Sequence, residues 1–201
     1  MILHGLLVDM VPWNKAFDER DNHWENGIAE YWANGGERQV VSHAQTERGA
    51  QEWREQRAKG QVSGLGFGIQ TKDGKPIGSM GINFMSPYHR IANLGAVIGE
   101  PDYWGGGYGT DALTLLLDYC FDWLDLRRVW LDTMVINVRV QRQMDKLGFK
   151  LEGHIRRETF VDGQWVDMLV YGLLREEWPG REAVIERIGL SERSRSNHAE
   201  E

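Results

Sequence analysis

The stretch 91–124 constrains the fold most. An apolar segment runs into Tyr103-Trp104-Gly105-Gly106-Gly107-Tyr108-Gly109-Thr110-Asp111, and a long apolar run follows at once. From about 107 to 124 the polar positions are Asp111, Thr114, Asp118, Asp122 and Asp125, at spacings of 3, 4, 4 and 3. Such spacing draws one narrow stripe on a helix and leaves the remaining surface apolar. That helix is expected to be largely buried against a sheet. The unit therefore reads as strand, glycine-rich loop and buried helix.

Four glycines in the loop, at 105, 106, 107 and 109, let the chain turn tightly and bring backbone N–H groups close to a ligand. They stand at a helix N-terminus, whose dipole favours anions, so the unit is expected to hold a pyrophosphate. A purely structural tight turn would look similar. Two nucleotide motifs fail on spacing. No Lys follows the glycines, which excludes the GxxxxGK[ST] loop. The GxGxxG pattern would need Gly at 110 or 112, which are Thr and Ala. A kinase reading lacks its other segments.

Around this unit the chain alternates. Residues 3–11 read as one opening strand closed by Pro12, and the polar stretch 14–36, with scattered aromatics, as one or two short helices. Residues 46–59 read as a surface helix, and 63–70 and 76–84 as strands joined by Lys72-Asp73-Gly74-Lys75, since Asp-Gly suits a hairpin turn. Strands at 91–99 and 127–136 flank the buried helix. Asn137 is a good N-cap; Val140, Met144 and Leu147 then recur at helical spacing before Gly148. The segments 149–160 and 165–174 form a hairpin around Asp162-Gly163. Beyond Pro179 the composition turns polar. The expectation is an α/β fold of one domain over 1–178, with a mixed, mostly antiparallel sheet and helices on both faces, and a frayed polar extension over 179–201.

Composition narrows the class further. No apolar run approaches the length of a membrane span, the N-terminus lacks signal-peptide features, and Cys120 is the only cysteine. These point to a cytoplasmic protein without a cysteine-cluster metal site; the six histidines make no metal spacing either. A net charge of −7 with no dense Lys/Arg run argues against nucleic acid and, weakly, for a cationic or neutral partner. Cys120, in the buried helix, reads as core rather than nucleophile.

The loop resembles the pyrophosphate loop of the GNAT superfamily of acyl-CoA-dependent N-acyltransferases, whose pattern is Gln/Arg-x-x-Gly-x-Gly/Ala. Gly107 and Gly109 fill the two small positions, and Trp104 stands where Gln or Arg is usual. The branch of ribosomal-protein N-terminal acetyltransferases commonly reads Trp-Gly-x-Gly-Tyr-Gly/Ala-Thr-Glu-Ala, and Asp111 here replaces its Glu. A second block, Asn137 to Leu147-Gly148-Phe149, is similar to that branch's Asn-x-x-Ser…Glu-Lys-Leu-Gly-Phe, with Val140 at the Ser position and Asp145 at the Glu. A third, Asp162-Gly163-x-x-x-Asp167…Tyr171-Gly172-Leu173, looks like the closing hairpin. The resemblance covers about residues 1–178.

The resemblance implies a fork between two neighbouring strands that takes the pantetheine arm of acetyl-CoA, the co-substrate, like an added strand. Backbone groups of Val97, Ile98 and Gly99 would bond its amides, and the Ile98 N–H would stabilise the oxyanion. The loop from Trp104 through Gly105, Gly106, Gly107, Tyr108 and Gly109 to Thr110 would cradle the pyrophosphate. Asn137 would bond the pantetheine, and Arg142 or Lys146 would meet the 3′-phosphate. A carboxylate must deprotonate the amine; Glu100, Asp102, Glu158 and Asp167 are the candidates, Glu158 foremost. Val140 cannot protonate the leaving thiolate, so water or another side chain does, or the activity is weak. The implied reaction is direct attack of an amine, on a small molecule or a protein N-terminus, in a ternary complex with no metal. A non-catalytic acyl-CoA-sensing module is the alternative. Homodimers are common in the family.

Overall fold

The computed structural model describes residues 1–59 and 64–191. The body is one eight-stranded sheet built from β1 (Leu3–His4), β2 (Val8–Pro12), β3 (Leu65–Thr71), β4 (Pro76–Ser86), β5 (Ile91–Ile98), β6 (Arg128–Met134), β7 (Lys150–Val161) and β8 (Gln164–Leu174). Their spatial order is β1-β2-β3-β4-β5-β6-β8-β7. Every pairing is antiparallel except β5 with β6. The helices are α1 (Lys15–Glu25), α2 (Ile28–Ala33), α3 (His43–Ala58), α4 (Tyr108–Asp118), α5 (Val138–Leu147) and α6 (Arg181–Ile188). This is the mixed, mostly antiparallel sheet that the sequence led us to expect.

Local chemistry explains most boundaries. The β7–β8 turn is Asp162-Gly163, with φ of 47° and 85°, the positive pair that a two-residue type I′ hairpin demands. α3 starts earlier than expected because Ser42 and Gln45 form a capping box: Gln45 Oε1 accepts from Ser42 N at 2.9 Å and Ser42 Oγ from Gln45 N at 3.4 Å. α5 runs between Asn137, whose side chain accepts from Val140 N, and Gly148 at φ 85°. α4 continues into a π-helical turn, Tyr119–Trp123. It packs Ala112, Leu113, Leu115, Leu116 and Leu117 into the main core with Ile69, Ile77, Leu94 and Val129 from the sheet.

Two expectations need correction. Residues 3–11 are not one strand: the chain reverses at Gly5–Leu7, and β1 folds back on β2 (Leu3↔Met10, His4↔Asp9). The cause lies far along the chain. Asp111 Oδ2 accepts from Leu7 N at 2.7 Å and from Val8 N at 3.2 Å, which pins the reversal to the first turn of α4. Pro12 closes β2 as expected, as its last residue, opposite Phe67. Secondly, the polar segment after Pro179 begins with α6, which buries Val184 and Ile185 in the main core, joined there by Leu190 just beyond its end. Arg181 joins it to α4, its guanidinium donating to Asp111 Oδ1 at 2.6 Å and to Thr114 Oγ1 at 3.1 Å. The polar stripe of α4 is thus covered at its upper end, with Asp111 and Thr114 fully buried. The expected strand start at Ser63 and the tail over 192–201 lie outside the described residues.

Candidate functional site

The site follows from one irregularity of the sheet. β5 and β6 pair in parallel over three positions only, Ile91↔Arg128, Ala92↔Val129 and Asn93↔Trp130. Beyond these, β5 stays with β4 and β6 with β8, so the two strands part. The fork opens a cleft of about 570 Å³, within the usual range of small-molecule sites. Its walls are Leu94 to Ile98 of β5 and Leu131 to Thr133 of β6. Its upper end is made by the glycine loop and α5, and Ala29, Trp32 and Ala33 of α2 close it on the opposite face of the sheet.

The two lips differ from an ordinary sheet edge in what they present. Gly99 N–H donates to the Ile77 carbonyl in β4 at 2.8 Å. Successive residues of a strand send their N–H groups to opposite sides, so Ile98 and Ala96 direct theirs into the fork. The Ile98 carbonyl accepts the Trp104 indole N–H at 2.7 Å. The Trp104 ring in turn carries the Arg139 guanidinium, 4.1 Å from its centroid. Gly105 and Gly107 have φ of 85° and 98°, where any side chain is strained. Gly109 brings the first turn of α4 against β5 and α5; a Cβ there would sit 3.3 Å from Ile98 Cγ1. Gln143 Nε2 donates to Thr110 Oγ1 at 3.3 Å and ties α5 to that same turn.

Of the residues expected to bind the co-substrate, Val97, Ile98, Trp104, Gly105, Gly107, Gly109, Thr110, Asn137 and Arg142 line this cleft, as do Val140 and Lys146. Gly99, Gly106 and Tyr108 do not. Gly99 spends its N–H on β4, and it makes room for the Trp24 ring, from which a Cβ at 99 would lie only 2.4 Å. A Cβ on Gly106 would meet the Tyr108 ring, and Tyr108 stacks edge-on with Tyr103. These three shape the loop from behind.

The expected bases lie elsewhere. Glu100 accepts from the Trp24 indole at 3.0 Å and pairs with Arg20 at 3.6 Å, so its carboxylate is committed to α1. Glu158 is exposed on β7 beside an irregularity of register. Its neighbour Thr159 packs toward Gly35, after α2; Glu158 falls within the register shift between Ile155 and Thr159 and is not on the cleft wall. Asp102 is not on the cleft wall, and Asp167 is held by the Arg157 N–H at 2.8 Å and by His154 at 2.6 Å. Burial pushes the Cys120 thiol up to about 12, which removes it as a nucleophile.

Sequence reading missed Arg139 and Asp132. Asp132 is the sole carboxylate among the described residues lining the cleft. It is open to solvent through the cleft but otherwise hemmed in by protein. That burial raises its pKa above the ordinary aspartate value, with the Asn93 amide partly opposing the shift. Met134, two residues on and so on the same face of β6, packs with Tyr31 of α2 and Val161. Asp132 therefore faces the α2 side, while α5, through Met144 and Leu147, packs on the main core behind the other face. The cleft passes through the sheet, with cationic side chains at one end and a single acid toward the other.

Known proteins resemble this chain in sequence and in fold. The acetyltransferase (GNAT) domain family matches residues 18–150, about two thirds of the chain. The uncharacterized N-acetyltransferase YoaA of Bacillus subtilis (strain 168) is 29% identical over 113 residues, 56% of this chain and 63% of YoaA; the chain thus spans less than two thirds of that relative. YdaF of the same organism, named provisionally as a ribosomal N-acetyltransferase, is 31% identical over 129 residues, 64% of this chain and 68% of YdaF. Among solved structures, the spermidine N-acetyltransferase from Vibrio cholerae in complex with CoA and spermine superposes with a TM-score of 0.75 at 18% identity, over 85% of this chain and 97% of that one. The forked sheet, the glycine loop at its mouth and the extent of the family match together place this chain in the GNAT family of acetyltransferases.

Proposed function

We propose that the protein transfers an acetyl group from acetyl-CoA to a primary amine by direct attack within the β5–β6 fork. The fork itself carries the reading: a strand-width gap whose β5 lip offers the inward N–H groups of Ala96 and Ile98, with the glycine loop and an α-helix N-terminus at its mouth. An extended pantetheine arm fits there as an added strand. The backbone of the loop and the first turn of α4 would hold the pyrophosphate, and Arg139, Arg142 and Lys146 of α5 stand where further phosphate charge would lie. Ile98 N–H would donate to the thioester carbonyl oxygen, where negative charge develops. The amine would arrive from the α2 side, past Trp32. Relatives named for spermidine and for ribosomal-protein acetylation make a polyamine and a protein N-terminus the two acceptor classes to try first.

Calorimetry with acetyl-CoA tests the reading, with ADP and NAD as controls. Gly105→Asp is the informative variant: a Cβ at 105 meets nothing within 4 Å, aspartate tolerates positive φ better than most residues, and its charge would oppose the pyrophosphate. Wild type should bind acetyl-CoA and the variant should lose most of that affinity. No binding, or equal binding of NAD, overturns the reading. Val140, on the cleft wall where the family commonly has Ser, favours a second reading, an acyl-CoA-binding module without turnover; tight binding with no acylation of any amine would establish it.

A further inference from the structure

We infer that Asp132, with the amides of Asn93 and Asn83 beside it, is the general base and docking point for the acceptor amine; this rests on the acetyl-transfer reading above. The argument begins with register. Asn93 pairs with Trp130, the last rung of the β5–β6 ladder. One step further the strands part, and two residues on from that rung stand Gly95 on one lip and Asp132 on the other. Alternation puts Asn93, Gly95 and Asp132 on the same face, the face that α2 covers. A side chain at 95 would fill the crotch of the fork. A Cβ there would lie 2.5 Å from the Asn83 amide nitrogen, so the glycine is what lets the Asn83 carboxamide lie against the crotch of the fork. Asn83 Nδ2 donates to Asn93 Oδ1 at 3.1 Å. Two carboxamides and one carboxylate thus line the cleft together at the crotch of the fork.

The carboxylates that sequence put forward are either held elsewhere or off the cleft wall, whereas Asp132 is on it. The other ionisable groups on the wall are Arg139, Arg142 and Lys146 from α5 and Tyr103 from the loop. A cationic amine at the fork would therefore meet Asp132 as its one anionic partner. The chemistry balances without any further reagent. Asp132 takes one proton from the ammonium, directly or through one water. The freed nitrogen lone pair attacks the thioester carbonyl carbon and a C–N bond forms. The C–S bond breaks with its electron pair on sulfur, and the thiolate takes a proton from water. The second proton leaving the nitrogen passes to solvent.

The test compares wild type, Asp132→Asn and Asp132→Glu, with spermidine and with a tetrapeptide bearing a free N-terminal alanine as acceptors. Free thiol release is followed across pH, and the acetyl-CoA Kd of each variant by calorimetry. For whichever amine wild type acetylates, Asp132→Asn should lose about 100-fold or more in kcat/KM with the acetyl-CoA Kd unchanged. The acidic limb of the pH profile should vanish, and Asp132→Glu should recover part of the rate with a limb of its own. An Asp132→Asn variant within threefold of wild type that keeps the acidic limb would overturn the assignment alone. Loss of acetyl-CoA binding in that variant would also overturn it, by showing that Asp132 holds the fold. If wild type binds acetyl-CoA and acetylates neither amine, the parent reading fails and takes this assignment with it.

Discussion

Asp111 and Asp132 sit on either side of the same sheet system and could hardly be used more differently. Asp111, in the first turn of α4, is fully buried and has every direction filled: Arg181 on one oxygen, the N–H groups of Leu7 and Val8 on the other. It holds three distant pieces of chain together, β1–β2, α4 and α6. Asp132 lies at an opening, with Asn93 beside it and solvent in front. A saturated carboxylate is architecture, because no proton or ligand can reach it without breaking the structure. A carboxylate with a free side, in a cleft, is available for chemistry. Residue type and burial alone would rank the two the wrong way round.

The comparison can be broken most decisively at Arg181. Arg181→Met leaves Asp111 buried without its cation, which should cost about 3 kcal/mol or more, read by urea unfolding; the loss of acetyl-CoA affinity should be no larger than the loss of folded protein explains. An unchanged unfolding midpoint would show that the Asp111 region is not the clamp described. A smaller effect is expected at the tip of the β7–β8 hairpin. Asp162 accepts from Tyr31 Oη at 2.9 Å and from Arg38 Nε at 3.1 Å, which fastens α2, the wall on the amine side, to the hairpin. Asp162→Asn keeps a turn that Asn-Gly favours while removing the charge. Solvent screens this exposed pair, so the effect should be modest: the amine KM should rise about two- to fivefold with the acetyl-CoA Kd untouched. Equal changes in both constants would argue that the clamp acts on the whole cleft.

The smallest effect concerns stability at Asp132 itself. Its folded pKa is raised by burial, so the charged form is disfavoured by folding. The resulting destabilisation is absent below the unfolded value, about 3.9, sets in as pH climbs through the folded value, and persists at neutrality. Asp132→Asn should therefore melt slightly higher than wild type at pH 7 and at the same temperature near pH 3.5. A variant that melts lower at pH 7 would mean that the carboxylate is held by partners, as Asp111 is.

What could be read from sequence was what local chemistry determines. The positive-φ glycines, the Asp162-Gly163 turn, the Asn137 and Gly148 caps and the apolar face of α4 all carry their cause within a few residues. The opening strand was misread because its apolar pattern runs on through Gly5–Leu7, while its break depends on Asp111, more than a hundred positions away. α6 was hidden because its short apolar run Ala183-Val184-Ile185 is flanked by Arg181, Glu182, Glu186 and Arg187, and only burial distinguishes it from a solvated tail. Glu100 drew attention by standing next to the loop, yet Trp24 and Arg20 claim it. Asp132 gave no signal at all. In sequence it is one polar position in a strand, and its place on the cleft wall comes from where β5 and β6 part, which no local pattern records.

The short ladder between β5 and β6 has a consequence for engineering. A sheet that stops pairing after three rungs leaves main-chain donors and acceptors on both lips for water or substrate to satisfy. Substitutions that zip the strands further would turn those groups inward, raise the melting temperature and close the cleft in one stroke. A campaign selecting this chain for heat resistance alone should accumulate such changes on 94–98 and 131–134, and its most robust products would be well-folded proteins without a cleft.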